Sequence, residues 1–246
     1  MAASTFSVAF AAPITGQLSI AGDVTLTSST AAFICDTGTA TPCLSNSGNF
    51  VVTGPSAQSG SFTSLANTGG FITSLNNLTT TPINMAFSLP SFITFASNPD
   101  IVLNLSFIPS GTGGACPPAA GAVCTPRTGA LVTPSNPNGI SIYNYADTAL
   151  GSNIAFSVGG TATRVSTGEV TPLNGTFSLT FTSTPGTSDH SAASELGKSS
   201  VTASYVGVFQ TTPGSPDTGV PEPASIGLIG AGLVAAGVLR RYSKRS

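Results

Sequence analysis

The chain has 246 residues, and charged side chains make up 7% of it, against about 25% in an average soluble domain. Up to residue 219 it has three basic and eight acidic residues, a net charge of −5. With no basic patch to neutralise phosphates, the composition argues against a nucleic-acid-binding protein. Low charge with a positive mean hydropathy also argues against a disordered chain.

Residues 1–12 (MAASTFSVAFAA) are small and apolar, as in the second half of a secretory signal peptide. Ala9, Phe10 and Ala11 fit the small-x-small pattern of a cleavage site. The basic segment that opens a signal peptide is missing, because the first basic residue is Arg127. We therefore expect a partial signal peptide here, with an ordinary first strand as the alternative.

Strand patterns dominate the next 200 residues. In 175–182 (GTFSLTFT), Phe177, Leu179 and Phe181 would share one face of a strand, and hydroxyl side chains would share the other. The same alternation, between clusters of Gly, Pro, Asn and Ser, predicts further strands. These lie at 17–27, 49–53, 71–75, 83–89, 92–95, 101–108, 153–158 and 201–210.

No stretch of the chain before the C-terminal tail shows a sustained helical period. Many short strands separated by turn residues are typical of antiparallel folds with one core. We therefore predict that residues 13–211 form a single all-β domain, an antiparallel β-sandwich of jelly-roll type.

Four cysteines fall in two turn-rich segments, CDTGTATPC and CPPAAGAVC, each with seven residues between the thiols. An even number of cysteines at a repeated spacing indicates disulfides in an exported protein. We favour local bridges, Cys35–Cys43 and Cys116–Cys124, each closing a loop of nine residues worth about 2.5 kcal/mol. Cross-pairing, free thiols or a zinc site are the alternatives, although zinc ligands are usually closer together in sequence.

Few residues are suited to catalysis. His190 is the only histidine, and it lies beside Asp189 in a polar segment where a solvated loop histidine is the simpler interpretation. No calcium-loop or phosphate-loop pattern occurs, so we expect no metal and no cofactor. A paired-carboxylate hydrolase remains an alternative to a non-enzymatic protein. Its candidate residues are Asp23, Asp100, Asp147 and Glu169.

Tyr143 and Tyr145 are two residues apart in ISIYNYAD and would share one face of a strand. Sugar-binding modules stack sugars on exposed aromatic rings, so this pair is the best candidate for a glycan platform. A strand with amphipathic rings on one side is the simpler interpretation.

Residues 212–219 form a linker rich in Pro, Gly, Ser and Thr, and a distinctive tail follows at 220–246. The tail begins with Pro221, Glu222 and Pro223 and continues with 16 uncharged residues, 224–239. As a helix these would span about 24 Å, against about 30 Å of bilayer hydrocarbon. We predict a short, marginal transmembrane helix.

The predicted anchor consists of an apolar segment followed by a basic cluster. Its branched apolar residues, the membrane-anchoring set, are Ile226, Leu228, Ile229, Leu233, Val234, Val238 and Leu239. A basic cluster follows at 240–245, made of Arg240, Arg241, Lys244 and Arg245. By the positive-inside rule these charges keep the C-terminus in the cytoplasm, which places the β domain on the far side of the membrane.

The tail as a whole resembles the PEP-CTERM sorting signal of exported bacterial proteins, in which Pro-Glu-Pro precedes a short membrane helix and an Arg-rich end. The resemblance covers about 27 residues and does not extend to the β domain. It implies transient insertion in the inner membrane, recognition by an exosortase-type processing enzyme, and a final location at the cell surface or outside the cell. The family also often accompanies exopolysaccharide and biofilm production.

We therefore expect an exported, non-enzymatic surface or matrix protein with a structural or adhesive role and with exopolysaccharide as a candidate partner. A glycan-binding module and a secreted hydrolase are the alternatives.

Overall fold

The computed structural model describes residues 12–36, 43–76, 78, 83–116, 123–134, 136–148, 151–182 and 200–212. The chain divides into two compact units, Met1–Pro213 and Gly214–Ser246. All the described residues belong to the first unit, which contains the β domain.

Within the described residues there are twelve strands, and the only helices are three short 3₁₀ segments. The strands are β1 (Gly16–Leu26), β2 (Ala31–Phe33), β3 (Ser47–Val52), β4 (Gly69–Thr73), β5 (Ala86–Phe95), β6 (Ile101–Phe107), β7 (Gly114–Ala115), β8 (Val123–Thr125), β9 (Asn144–Thr148), β10 (Gly151–Arg164), β11 (Glu169–Thr182) and β12 (Val201–Thr211). The 3₁₀ segments are Pro55–Ala57, Gly60–Leu65 and Gly129–Leu131.

Eight of these strands form a closed antiparallel barrel. They pair in the order β11-β12-β1-β3-β4-β5-β6-β10, and β10 pairs again with β11 to close the ring. The all-β, antiparallel prediction is confirmed, but the two-sheet sandwich is wrong, because the sheet closes on itself. The remaining strands extend the wall: β9, β8 and β7 continue from β10, and β2 pairs with β1.

Alternating side chains explain why these segments form a barrel wall. Along β11, Thr171, Leu173, Gly175, Phe177 and Leu179 are buried, and the residues that alternate with them are exposed. The inward side chains meet in a single hydrophobic core that is rich in rings. Phe156 of β10 and Phe177 stack with ring centroids 4.7 Å apart. The period-2 pattern thus separates a ring-filled interior from a polar exterior.

The bounds of three strands, β5, β10 and β11, differ from the sequence prediction. The predicted strands 83–89 and 92–95 are one strand, β5, interrupted by a bulge at which Ser91 has φ 55°. The side chain of Asn104 on β6 accepts a hydrogen bond from the Ser91 N–H at 2.9 Å, which takes the place of a backbone hydrogen bond at the bulge. β10 and β11 are each 14 residues long, about twice the predicted length. The Gly- and Thr-rich second half of β10 also belongs to the sheet, because it pairs with β6 on one side and with the first half of β11 on the other.

The chain enters and leaves the barrel at the same end. Gly16, where β1 begins, pairs with Thr211, where β12 ends. The turn between β10 and β11, Val165–Gly168, lies at this end too, since Leu173 of β11 also pairs with Thr211. We call this the exit end.

The four disulfide-bonded cysteines lie in the opposite half of the barrel. β2 pairs with Val24–Leu26 at the far end of β1, and Cys35 lies two residues after β2 ends. Cys124 lies in β8, which is joined through β9 to Gly151–Ala155 at the far end of β10. The two disulfide bonds therefore lie away from the exit end.

Candidate functional site

The residues of the predicted sorting signal, 220–246, lie outside the described residues. So do Pro221, Glu222 and Pro223, the seven apolar anchor residues and the four basic residues named above. Within the described part of the chain, the structure shows no helix of the length and apolar character needed to cross a membrane. The transmembrane helix at 224–239 therefore stays a prediction.

The last described residues hold the end of the domain firmly to its beginning. Besides its pairing with Gly16, Thr211 donates its side-chain hydroxyl to the Gly16 carbonyl at 3.2 Å. The Thr212 N–H donates to the Pro172 carbonyl of β11 at 3.1 Å. The linker thus starts directly from hydrogen-bonded backbone, one residue after β12.

The other edge of β1 at the exit end is sealed by side chains, which the sequence patterns did not predict. Ser61 Oγ accepts from Thr15 N at 3.1 Å and Ser59 Oγ accepts from Gln17 N at 2.8 Å. Gln58 Oε1 continues the series by accepting from the next alternate N–H, that of Ser19, at 2.9 Å. The segment 58–61 (QSGS) therefore substitutes for a strand, and its only sequence signal is a Ser/Gln cluster beside glycine.

Both predicted disulfides are formed. Cys35 bonds to Cys43 and Cys116 bonds to Cys124, with Cα–Cα distances of 6.0 Å and 5.1 Å. Among the described residues there is no free cysteine. The local pairing is confirmed, and the thiols are not available as zinc ligands.

Tyr143 and Tyr145 do not form a glycan platform. They do lie close together, with ring centroids 6.5 Å apart, but they are 0% and 2% exposed. The Tyr143 hydroxyl donates to the Thr30 carbonyl at 2.8 Å, which ties the long loop before β9 to the turn after β1. The pair shares one face, as predicted, but that face is the core.

The buried tyrosines have hydroxyl groups in an apolar environment. Burial raises the pKa of Tyr143, Tyr145 and Tyr205 well above the usual value for tyrosine. The hydroxyls of Tyr145 and Tyr205 make no hydrogen bond in the structure. All three rings therefore stay neutral and serve as core side chains.

The candidate carboxylates have ordinary structural environments where the structure describes them. Asp100 Oδ1 accepts from Ser166 N at 2.7 Å, and its Oδ2 lies 3.4 Å from Arg164 Nη1. The Ser166 donors, followed by Arg164, lower the pKa of Asp100. Asp23 accepts from the Ser204 hydroxyl at 2.6 Å. These contacts hold the turn after β10 and the β1–β12 pair.

The other carboxylates add no recognisable site. Glu169 pairs in register with Arg164, and its Oε2 is buried without a hydrogen bond. Asp147 lies on β9, and the structure describes its backbone only; His190 lies outside the described residues. Across the described ranges, no three His, Cys, Asp or Glu side chains come together in a group that could hold a metal ion.

The outer face of the barrel carries mainly short, uncharged polar side chains. Across β1 and β12, Thr25 and Thr202 share a hydroxyl hydrogen bond of 2.8 Å, and Gln210 donates to Gln17 at 3.1 Å. On β11 the exposed positions Asn174, Thr176, Ser178 and Thr180 are polar, whereas Val170 and Pro172, nearer the exit end, are exposed and apolar. This surface matches the composition: hydroxyl and amide groups take the place of charges.

Comparison with known families assigns the tail. The family model described as the PEP-CTERM protein-sorting motif matches residues 219–242. No curated protein and no solved structure matches the chain. The resemblance read from the three parts of the tail is confirmed, and it covers the tail alone.

The fold and the tail together define a class: an exported protein in which a disulfide-bonded β domain precedes a C-terminal sorting signal. The signal in this chain is a PEP-CTERM protein-sorting motif. Such a motif implies passage through the membrane and processing by an exosortase-type enzyme.

Proposed function

We propose that this chain is a non-enzymatic component of the cell surface or extracellular matrix, delivered there by processing of its C-terminal tail. The observation that carries the proposal is the match of 219–242 to the sorting motif. In this arrangement Pro221, Glu222 and Pro223 are the recognition element, and the apolar run holds the chain in the inner membrane until it is processed.

The β domain supports a structural or adhesive role. Its two disulfides lie in the half of the barrel opposite the exit end. Its exposed β11 positions include Asn174, Thr176, Ser178 and Thr180, which can form many weak hydrogen bonds with a hydrated polymer. Low surface charge also allows many copies to lie close together without strong repulsion. Exopolysaccharide is the partner that this surface and the family of the tail together favour.

The sorting step is tested by replacing Pro221, Glu222 and Pro223 with alanine in the native host. We expect the wild-type chain to be converted to a shorter form at the surface or in the medium. The variant should keep its full length and stay in the inner-membrane fraction.

A matched control replaces three residues of the linker, Pro213, Ser215 and Pro216, with alanine. This chain should be processed like the wild type, because it keeps the motif. If the Pro-Glu-Pro variant is also processed normally, exosortase-type recognition of this tail is rejected.

The matrix role has its own test. Host cells lacking the chain are compared with cells that produce the wild type or the Pro-Glu-Pro variant, and retained biofilm mass is measured under shear. The wild type should restore adhesion and the unprocessed variant should not. Equal biofilm mass in all strains would contradict a structural or adhesive role while leaving the sorting step intact.

A further inference from the structure

β12 joins the two ends of the domain. All eleven of its residues pair with β1, the first strand, and Leu173–Leu179 of β11 pair with its other edge. Without β12, the remaining barrel strands would form an open sheet with β1 and β11 as its edges. β12 is therefore the strand that closes the barrel.

Closure also completes the core. Tyr205 and Phe209 of β12 are 1% and 0% exposed. Their rings lie 5.5 Å and 5.4 Å from the ring of Phe177, and Tyr205 lies 5.3 Å from Phe33. Before β12 docks, these buried rings and two rows of backbone N–H and C=O groups are open to water.

The position of β12 in the sequence makes closure the last event of export. A chain exported from its N-terminus delivers β1 first and β12 last. Only twelve residues, 212–223, separate β12 from the apolar run at 224–239. Any docking of β12 that precedes release of the tail therefore takes place within reach of the bilayer.

We propose that the barrel closes only after β12 has been exported, and that the linker is long enough for β12 to dock before the tail is released. This inference rests on the proposed membrane insertion of the tail. It assigns residues 212–223 a mechanical role: they provide the reach that lets a membrane-held chain finish folding.

The lengths are consistent with this role. β11 extends four residues, 169–172, beyond the level of Thr211 at the exit end, which corresponds to about 13 Å of strand. The polar layer of one leaflet adds about 6 Å. For a domain whose exit end faces the bilayer, as the proposal requires, the linker has to span about 20 Å, and twelve extended residues can reach about 40 Å. Without 213–219 only five residues remain, with a reach of about 17 Å.

The test uses full-length chains and a disulfide that reports docking of β12. Thr25 and Thr202 face each other across β1 and β12, with their hydroxyls 2.8 Å apart. Cysteines at both positions, Thr25→Cys and Thr202→Cys, should therefore form a bond only when the strands are paired. Asn153→Cys with Thr180→Cys is the matched control, because this pair belongs to the adjacent strands β10 and β11.

Each pair is placed in three linkers: the natural one, one lacking 213–219, and one with 213–219 replaced by seven Gly and Ser residues. All chains also carry alanine at Pro221, Glu222 and Pro223 so that the tail stays attached. Bond formation is measured by mass spectrometry of linked peptides from the membrane fraction.

We expect the 25–202 bond to form with the natural and the Gly/Ser linkers and to fall several-fold with the short linker. The 153–180 bond should form equally in all three. If the short-linker chain is in the membrane fraction and forms the 25–202 bond as fully as the chain with the natural linker, the closure proposal is overturned. The proposed insertion of the tail would still stand in that case. If the full-length chains are absent from the membrane fraction, the proposed insertion of the tail fails, and closure timing fails with it.

Discussion

Gln58 lies beside the barrel wall without belonging to a strand, and it is 7% exposed. Its side-chain amide imitates a strand residue: Oε1 accepts from Ser19 N at 2.9 Å, and Nε2 donates to the Ser19 carbonyl at 3.0 Å. Nε2 also lies 3.2 Å from the Thr53 carbonyl. One neutral side chain thus satisfies the buried backbone at Ser19, on the edge of β1 that faces away from β12.

Replacing Gln58 with leucine should destabilise the domain by about 1–3 kcal/mol, because the buried Ser19 N–H loses its acceptor. The measurement is urea unfolding followed by tyrosine fluorescence. Gln210→Leu is the matched control, since Gln210 is exposed and bonds only to Gln17 on the outer face; it should change stability by less than about 0.5 kcal/mol. Equal losses in the two variants would contradict the strand-like role of Gln58.

Gln58→Glu refines this test through pH. The carboxylate would face the Ser19 and Thr53 carbonyls, so burial should raise the pKa of the new carboxyl above its unfolded value of about 4.3. A raised pKa in the folded state means that stability is lost as the pH rises. The deficit relative to wild type should therefore be smaller at about pH 4 than at pH 7.

At the scale of elements, glycines on the inner face of β11 and β12 make room for rings. A Cβ at Gly175 would overlap with the ring of Phe209, and a Cβ at Gly207 would press on Ile20 and Phe177. Small and large side chains alternate in this way across neighbouring strands of small barrels. Close contact between the last two strands therefore depends on Gly175.

Gly175→Ala should cost about 1–3 kcal/mol, the usual range for overpacking a core. The comparison is Gly54→Ala, because nothing lies within 4 Å of a Cβ at that position and the backbone φ is −58°. That control should be neutral or stabilising by up to about 1 kcal/mol. The measurement is the free energy of unfolding of both variants in urea. If the Gly175→Ala domain is as stable as the Gly54→Ala domain, Phe209 can move away from the added methyl group and the packing argument is wrong.

The strands themselves could be predicted from sequence because alternation records which side chains face the core. β1, β6 and β12 lie within one residue of the predicted bounds. The closed ring could not be predicted in this way. Alternation does not identify a strand's partner, and closure depends on pairs as distant in sequence as Gly16 and Thr211.

The candidate sites show the same limit. The cysteine spacing favoured the local disulfides that the structure shows, because each nine-residue loop can bring its own thiols together. The spacing of Tyr143 and Tyr145 correctly placed the rings on one side, but only the packing of the long loop before β9 decides that this side is the core. The sorting motif was recognisable because it is an ordered, linear signal that needs no tertiary contact.

At the scale of the molecule, one core extends through the barrel, and the two disulfides restrain loops in the half opposite the exit end. Both bridges have the same sequence separation, 8 residues. In the chain-entropy model their contributions depend on loop length alone, so each should stabilise the domain by about 2.5 kcal/mol. The barrel strands, by contrast, are held by pairing and by the core.

Replacing either cysteine pair with serine should therefore lower the free energy of unfolding by a similar amount, about 2.5 kcal/mol. Removing both pairs should cost about twice as much, because the loops lie on different strands and share no bond. The measurement is guanidinium unfolding of the four chains, with tyrosine fluorescence and far-UV circular dichroism as independent probes. A single continuous core predicts one coincident transition in every variant. Separate transitions for the two probes would show that a disulfide-bonded loop region unfolds apart from the barrel.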